Sequence, residues 1–84
     1  MMTIDTHGLR FIEATLEICG RIEEAYSQGD NGIRIIHGYN RGTSIREYVR
    51  SDMVQDLKKY SRDVPRVNLD CLDPGITVVK FENT

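Results

Sequence analysis

Two histidines in this chain are each followed by glycine, at His7-Gly8 and His37-Gly38. Each pair ends a short strand-like run, where glycine releases the backbone into a turn. Imidazole accepts and donates protons near neutral pH, so two beside one phosphodiester supply a general base for the nucleophile and a general acid for the leaving oxygen. Asp5 lies two residues before His7, on the same side of an extended strand, and can orient one imidazole or accept its proton. Arg10 and Arg41 flank the two turns and Arg46 opens the following helix, offering guanidinium forks for phosphate oxygens. Asp5, His7 and His37 are therefore the candidate catalytic residues. Gly8, Arg10, Gly38, Arg41 and Arg46 are candidate phosphate contacts. One carboxylate makes a poor Mg²⁺ site, so this chemistry requires no cofactor, although it admits Mg²⁺; no metal ligands are assigned. A histidine pair suits RNA better than DNA, because the 2′-OH is an internal nucleophile that needs only acid and base.

The elements that must position these residues follow from periodicity and breakers. Met2 to Thr6 reads as a first strand. From about Arg10 to Gln28, Phe11, Ala14, Ile18, Ile22 and Ala25 recur at three- and four-residue spacing before Gly29, an amphipathic helix whose outer side is mostly acidic and in which Gly20 is a weak point. Ile33 to Ile36 is a β-branched run apolar enough for a central strand. Thr43 or Ser44 can cap a second helix reaching Tyr60, with Ile45, Tyr48, Val49, Met53, Leu57 and Tyr60 facing the core; its pattern slips near Ser51-Asp52, where a break is expected. Arg66 to Leu72 reads as a strand with Val67, Leu69 and Cys71 on one face. Asp73-Pro74-Gly75 is a turn, and Ile76 to Phe81 closes an antiparallel hairpin.

The order β-α-β-α-β-β predicts an α/β fold of two layers: a four-stranded mixed sheet with parallel, right-handed crossovers and both helices on one face, as one domain over residues 1–84. The turns after strands one and two then share the carboxyl edge of the sheet, where ligand sites of open α/β sheets form. Helix N-termini at that edge, with glycine allowing close approach, welcome an oxyanion.

Composition is that of a globular protein, with 39% hydrophobic and 29% charged residues. Net charge is only −2, but residues 1–32 carry −4, residues 33–66 carry +4 and residues 67–84 carry −2. The basic segment adjoins the second histidine. Cys19 and Cys71 are isolated thiols, which predicts a reduced, cytoplasmic setting. No run of consecutive apolar residues is longer than two, against roughly 20 for a membrane-spanning helix, so no membrane partner is expected.

Ile4-Asp5-Thr6-His7-Gly8-Leu9, followed by Glu13-Ala14, resembles the D-x-H-G-x-x-x-x-E-A opening of the Smr (small MutS-related) domain family. Ile35-Ile36-His37-Gly38, with Gly42 and then Ile45-Arg46, is similar to its I-I-H-G-x-G segment, and Thr77-Val78-Val79 to its closing strand. The resemblance covers the whole chain. It implies the same β-α-β-α-β-β fold, nucleic-acid binding, and endonuclease activity that cleaves or nicks DNA or RNA by phosphodiester hydrolysis or transesterification. By position, Asp5 and His7 match the D-x-H motif tied to cleavage, and His37, Gly38 and Gly42 match the glycine loop that holds phosphate. Tyr39-Asn40-Arg41 lengthens that loop relative to the family pattern, and Thr6 replaces its usual leucine. Two further readings stay open: a non-catalytic nucleic-acid or ribosome-binding module, and a binder of a small phosphorylated ligand. Oligomeric state is not set by the sequence.

Overall fold

A computed structural model describes residues 1–38 and 44–82. Chain order is β1 (Met2–Asp5), α1 (Phe11–Ser27), β2 (Gly32–Ile36), α2 (Ser44–Arg50), α3 (Asp52–Tyr60), β3 (Val67–Asp70) and β4 (Ile76–Phe81). The four strands form one mixed sheet in the order β1-β2-β4-β3. β1 and β2 run parallel, with Ile4 opposite Ile35 and Asp5 opposite Ile36. β4 returns antiparallel to both β2 and β3. It therefore separates β2 from β3, which are linked through helices but are not sheet neighbours. The turn at 73–75 is too short to carry β4 anywhere but directly beside β3.

Alternation decides the faces. Ile4, Ile33, Ile35, Val79 and Phe81 are buried and share one core with Ile18, Ile22 and Ala25 of α1 and Val49, Met53 and Leu57 of α2 and α3. Arg34 and Lys80, at the intervening positions, are exposed on the other face. All three helices thus cover one side of the sheet, the two-layer arrangement expected.

The second helix is two helices. Ser51 leaves helical geometry at φ −140°, ψ −76°, and its hydroxyl bonds the carbonyl of Glu47 at 2.5 Å, the back-bonding by which serine bends helices. The break resets the phase: Met53 and Leu57 point inward and the next position in their row is Ser61, which is buried. Tyr60, expected in the core, is the last residue of α3 and is 71% exposed, with the Lys59 ammonium 5.2 Å from its ring centre. Phe11 is likewise half outside, its ring edge-on to Tyr48 at 5.8 Å. Cys71 lies beyond the end of β3 and is exposed. Cys19 is partly buried, its Sγ 3.3 Å from the Tyr48 hydroxyl, which donates to Asp56 Oδ2 at 2.7 Å and so ties α2 to α3.

Candidate nucleic-acid site

The parallel pairing of β1 with β2 puts the two His-Gly turns side by side. Thr6 extends the pairing beyond Asp5: its amide and hydroxyl both donate to the carbonyl of Ile36, at 3.0 and 3.1 Å. Thr6 to Leu9 then form a turn closed by the Leu9 amide on the Thr6 carbonyl at 3.1 Å, with Gly8 at φ +82°. A positive φ at the third turn position is the type II geometry, which favours glycine there and leaves His7 at the tip. The Asp5 carboxylate accepts the His7 backbone N–H at 2.9 Å. Asp5 therefore orients His7 through the main chain rather than through the imidazole. Both side chains are exposed, and the His7 ring has no hydrogen-bond partner among the described residues.

Asp5, His7, Ile36, His37 and Gly38 line one cleft of about 190 Å³ at this edge. Asp5 is its one carboxylate among the described residues, so a Mg²⁺ ion there would rest on Asp5 and on substrate oxygens.

His37 differs from His7 in every respect. It is buried, and both its nitrogens are engaged: Nδ1 lies 2.9 Å from the Gly38 carbonyl and Nε2 lies 2.8 Å from Thr77 Oγ1. A carbonyl can only accept, so Nδ1 carries the proton and Nε2 accepts from the Thr77 hydroxyl. Thr77 Oγ1 in turn accepts from Arg50 Nε at 2.9 Å, and Arg50 Nη2 reaches the carbonyls of Asp73 at 2.5 Å and Ile76 at 3.2 Å. Arg50 was not singled out from sequence, because a lone arginine in the last turn of a helix carries no local mark. Only the β4 turn, 23 to 27 residues later, supplies its partners.

Burial holds the His37 imidazole below its ordinary value; the bond to Gly38 opposes this, the Arg50 and Arg46 charges reinforce it, and Asp73 opposes it again. The folded state thus prefers neutral His37. Unfolding takes up a proton once the pH drops below the ordinary imidazole value of about 6.5, so this contribution to stability is complete above that pH and is lost as pH falls towards the lower folded value. Melting curves from pH 7.5 to 5 should show this loss, and His37→Gln should flatten it. Thr77→Val keeps the shape but removes the partner of the buried His37 Nε2 and the half-buried Arg50 Nε. It should cost about 2 kcal/mol in denaturant unfolding.

The backbone amides also divide unequally. His37 and Gly38 both donate to the Gly75 carbonyl at 3.0 Å, and Gly38 has φ +75°. The N–H of Gly8, by contrast, has no partner among the described residues, and the first amides of α1 follow it. Arg10 precedes α1, its own N–H held by Glu13 Oε1 at 2.9 Å and its side chain exposed. Arg46 Nη1 reaches the Pro74 carbonyl at 3.4 Å. Arg41 and Gly42, the other candidate phosphate contacts, lie outside the described residues.

A family model described as the Smr domain matches residues 4–82, nearly the whole chain and both His-Gly turns. The chain belongs to the Smr domain family. The crystal structure of the Smr domain of Thermus thermophilus MutS2 shares the fold, with a TM-score of 0.72 at 27% identity, over 99% of this chain and 100% of that one. No curated protein gives a significant match. The Smr domain is a nuclease-associated, nucleic-acid-binding fold, and the edge just described is where its histidine motifs converge. Among the described residues, no helix is long and apolar enough to cross a membrane.

Proposed function

We propose that this Smr domain is an endonuclease that cuts RNA at the cleft between the two His-Gly turns, with Asp5 and His7 carrying the chemistry. The observation that carries this reading is the exposed imidazole of His7 on a glycine turn anchored by Asp5; like the amide of Gly8 beside it, that ring has no hydrogen-bond partner among the described residues. Gly8 N–H, the start of α1 and Arg10 seat a phosphate. Asp5 has a second carboxylate oxygen to take the proton of the 2′-OH. O2′ then attacks phosphorus, the P–O5′ bond breaks, and the His7 imidazolium protonates O5′. The products are a 2′,3′-cyclic phosphate and a 5′-hydroxyl, and solvent returns the proton from Asp5 to His7. His37 keeps the second turn rigid, and Gly38, Arg41, Gly42 and Arg46 contribute to holding the strand.

End-labelled RNA and DNA, each with and without EDTA, test this. RNA should be cut with EDTA present and leave a cyclic phosphate, and DNA should be cut more slowly. Strict dependence on Mg²⁺ would sink the metal-free mechanism.

A second reading is favoured by the engagement of both His37 nitrogens, which leaves one accessible imidazole at the edge. On that reading the domain binds nucleic acid, alone or on a ribosome, without cutting. Binding with no product at any divalent-ion concentration would select it. Saturable binding of mononucleotides, indifferent to strand length, would instead select a small phosphorylated ligand.

A further inference from the structure

Helix α1 buries Ala14, Ile18, Ile22 and Ala25 against the sheet and leaves its opposite side uncovered. On that outer side Ile12, Leu16 and Gly20 form one row at i, i+4, i+8 spacing. Ile12 is 67% and Leu16 71% exposed. Gly20 completes the row in an unusual way. A Cβ built there meets nothing within 4 Å, so no contact among the described residues requires glycine, which costs about 1 kcal/mol in a helix interior. A second helix crossing this row would find a flat spot at Gly20 and could approach to the short end of the 8–10 Å range of packed helix axes.

Charge decides what kind of partner fits. Glu13, Glu17 and Glu24 flank one side of the row and Glu23 stands at its C-terminal end, and Arg21, the one base of α1, sits between Glu17 and Glu24 at 3.7 and 3.6 Å. The helix carries a net −3. Phosphates and anionic lipid are repelled by such a rim, and an α1-to-α1 contact with a second copy would set −3 against −3. We propose that the outer face of α1 docks an amphipathic helix of a basic protein partner, its apolar residues on Ile12 and Leu16, its small residue over Gly20 and its Lys and Arg against the glutamates. The partner would then lie beside the turn that carries His7. This surface is independent of any cleavage reaction.

The probe is a fluorescein-labelled helical peptide of about 18 residues, with leucines at i, i+4 spacing, alanine at the crossing and Lys/Arg flanks, titrated by anisotropy against the full chain. A matched peptide with Glu flanks should bind at least about tenfold more weakly, and binding of the basic peptide should weaken with salt. Leu16→Ser and Ile12→Ser, on the outer face, should each weaken binding about tenfold without changing the fold. Gly20→Leu separates docking from a mere weak point: it should raise the melting temperature yet weaken binding about tenfold. Three results would each overturn the proposal: equal binding of the two peptides, wild-type binding by Gly20→Leu, or a wild-type dimer in sedimentation that Leu16→Ser converts to monomer. The last would assign the face to a second copy.

Discussion

His7→Ala should lower RNA cleavage by about 10³-fold, within the range that a positioned acid-base group contributes, while shifting the melting temperature by no more than about 3 °C. The separation follows from how the turn is built. Its shape rests on the Leu9 amide bonded to Thr6, on Gly8 at positive φ, and on the His7 amide held by Asp5. Alanine keeps all three and removes only the exposed ring. The variant should still bind RNA, measured by anisotropy, because Gly8, Arg10 and the start of α1 are unchanged. Cleavage at the wild-type rate would move the chemistry off this turn.

Asp5 needs a finer dissection, since the structure gives it an anchoring contact in addition to any part in catalysis. Asn at this position keeps an oxygen to accept the His7 amide but cannot take a proton. If Asp5 is the base, Asp5→Asn should be as inactive as Asp5→Ala. If it only positions His7, Asn should restore most of the rate that Ala loses.

The largest effect on stability is expected at Gly32, the first residue of β2. A Cβ there would lie 2.1 Å from the Val79 carbonyl oxygen and 3.0 Å from Lys80 Cα, both main-chain atoms of the neighbouring strand β4. No side-chain rotation relieves that clash, so β2 and β4 must part beside the buried pair Ile33 and Val79. Gly32→Ala should therefore cost about 3 kcal/mol or more, out of the roughly 4–12 kcal/mol expected for a domain of this length. The melting temperature should drop by about 15 °C. Gly20→Ala is the control, since there the added methyl meets open space and should stabilise α1. A Gly32→Ala protein that melts like wild type would show that β4 can shift away at little cost.

The elements were legible because their signals are local. Ala14, Ile18, Ile22 and Ala25 announce α1 by spacing alone, and Asp73-Pro74-Gly75 announces the hairpin. The slip at Ser51 was visible as well, but the exposure of Tyr60 was not, since it keeps helical spacing with Met53 and Leu57 and only the coordinates show that α3 ends on it, with Ser61 buried instead. The candidate site was legible in part. Asp5, His7 and the paired turns stand out as motifs, whereas Arg50 and Thr77, which hold His37, are 27 residues apart and have meaning only once β4 lies beside β2.

The two His-Gly pairs illustrate the division. Sequence by itself determined that each glycine ends a strand, that both turns fall at the same edge of a parallel pair, and that Asp5 travels with His7. These follow from alternation, chain direction and the conformational freedom of glycine, all short-range properties. Tertiary structure alone decided that the two pairs are not equivalent. β1 is an edge strand, so His7 is exposed and the Gly8 N–H has no partner among the described residues. β2 is central and flanked by β4, so the ring and amide of His37 are consumed by Thr77, Gly38 and Gly75. Identical dipeptides acquire different chemistry because one strand has a neighbour on both sides and the other does not.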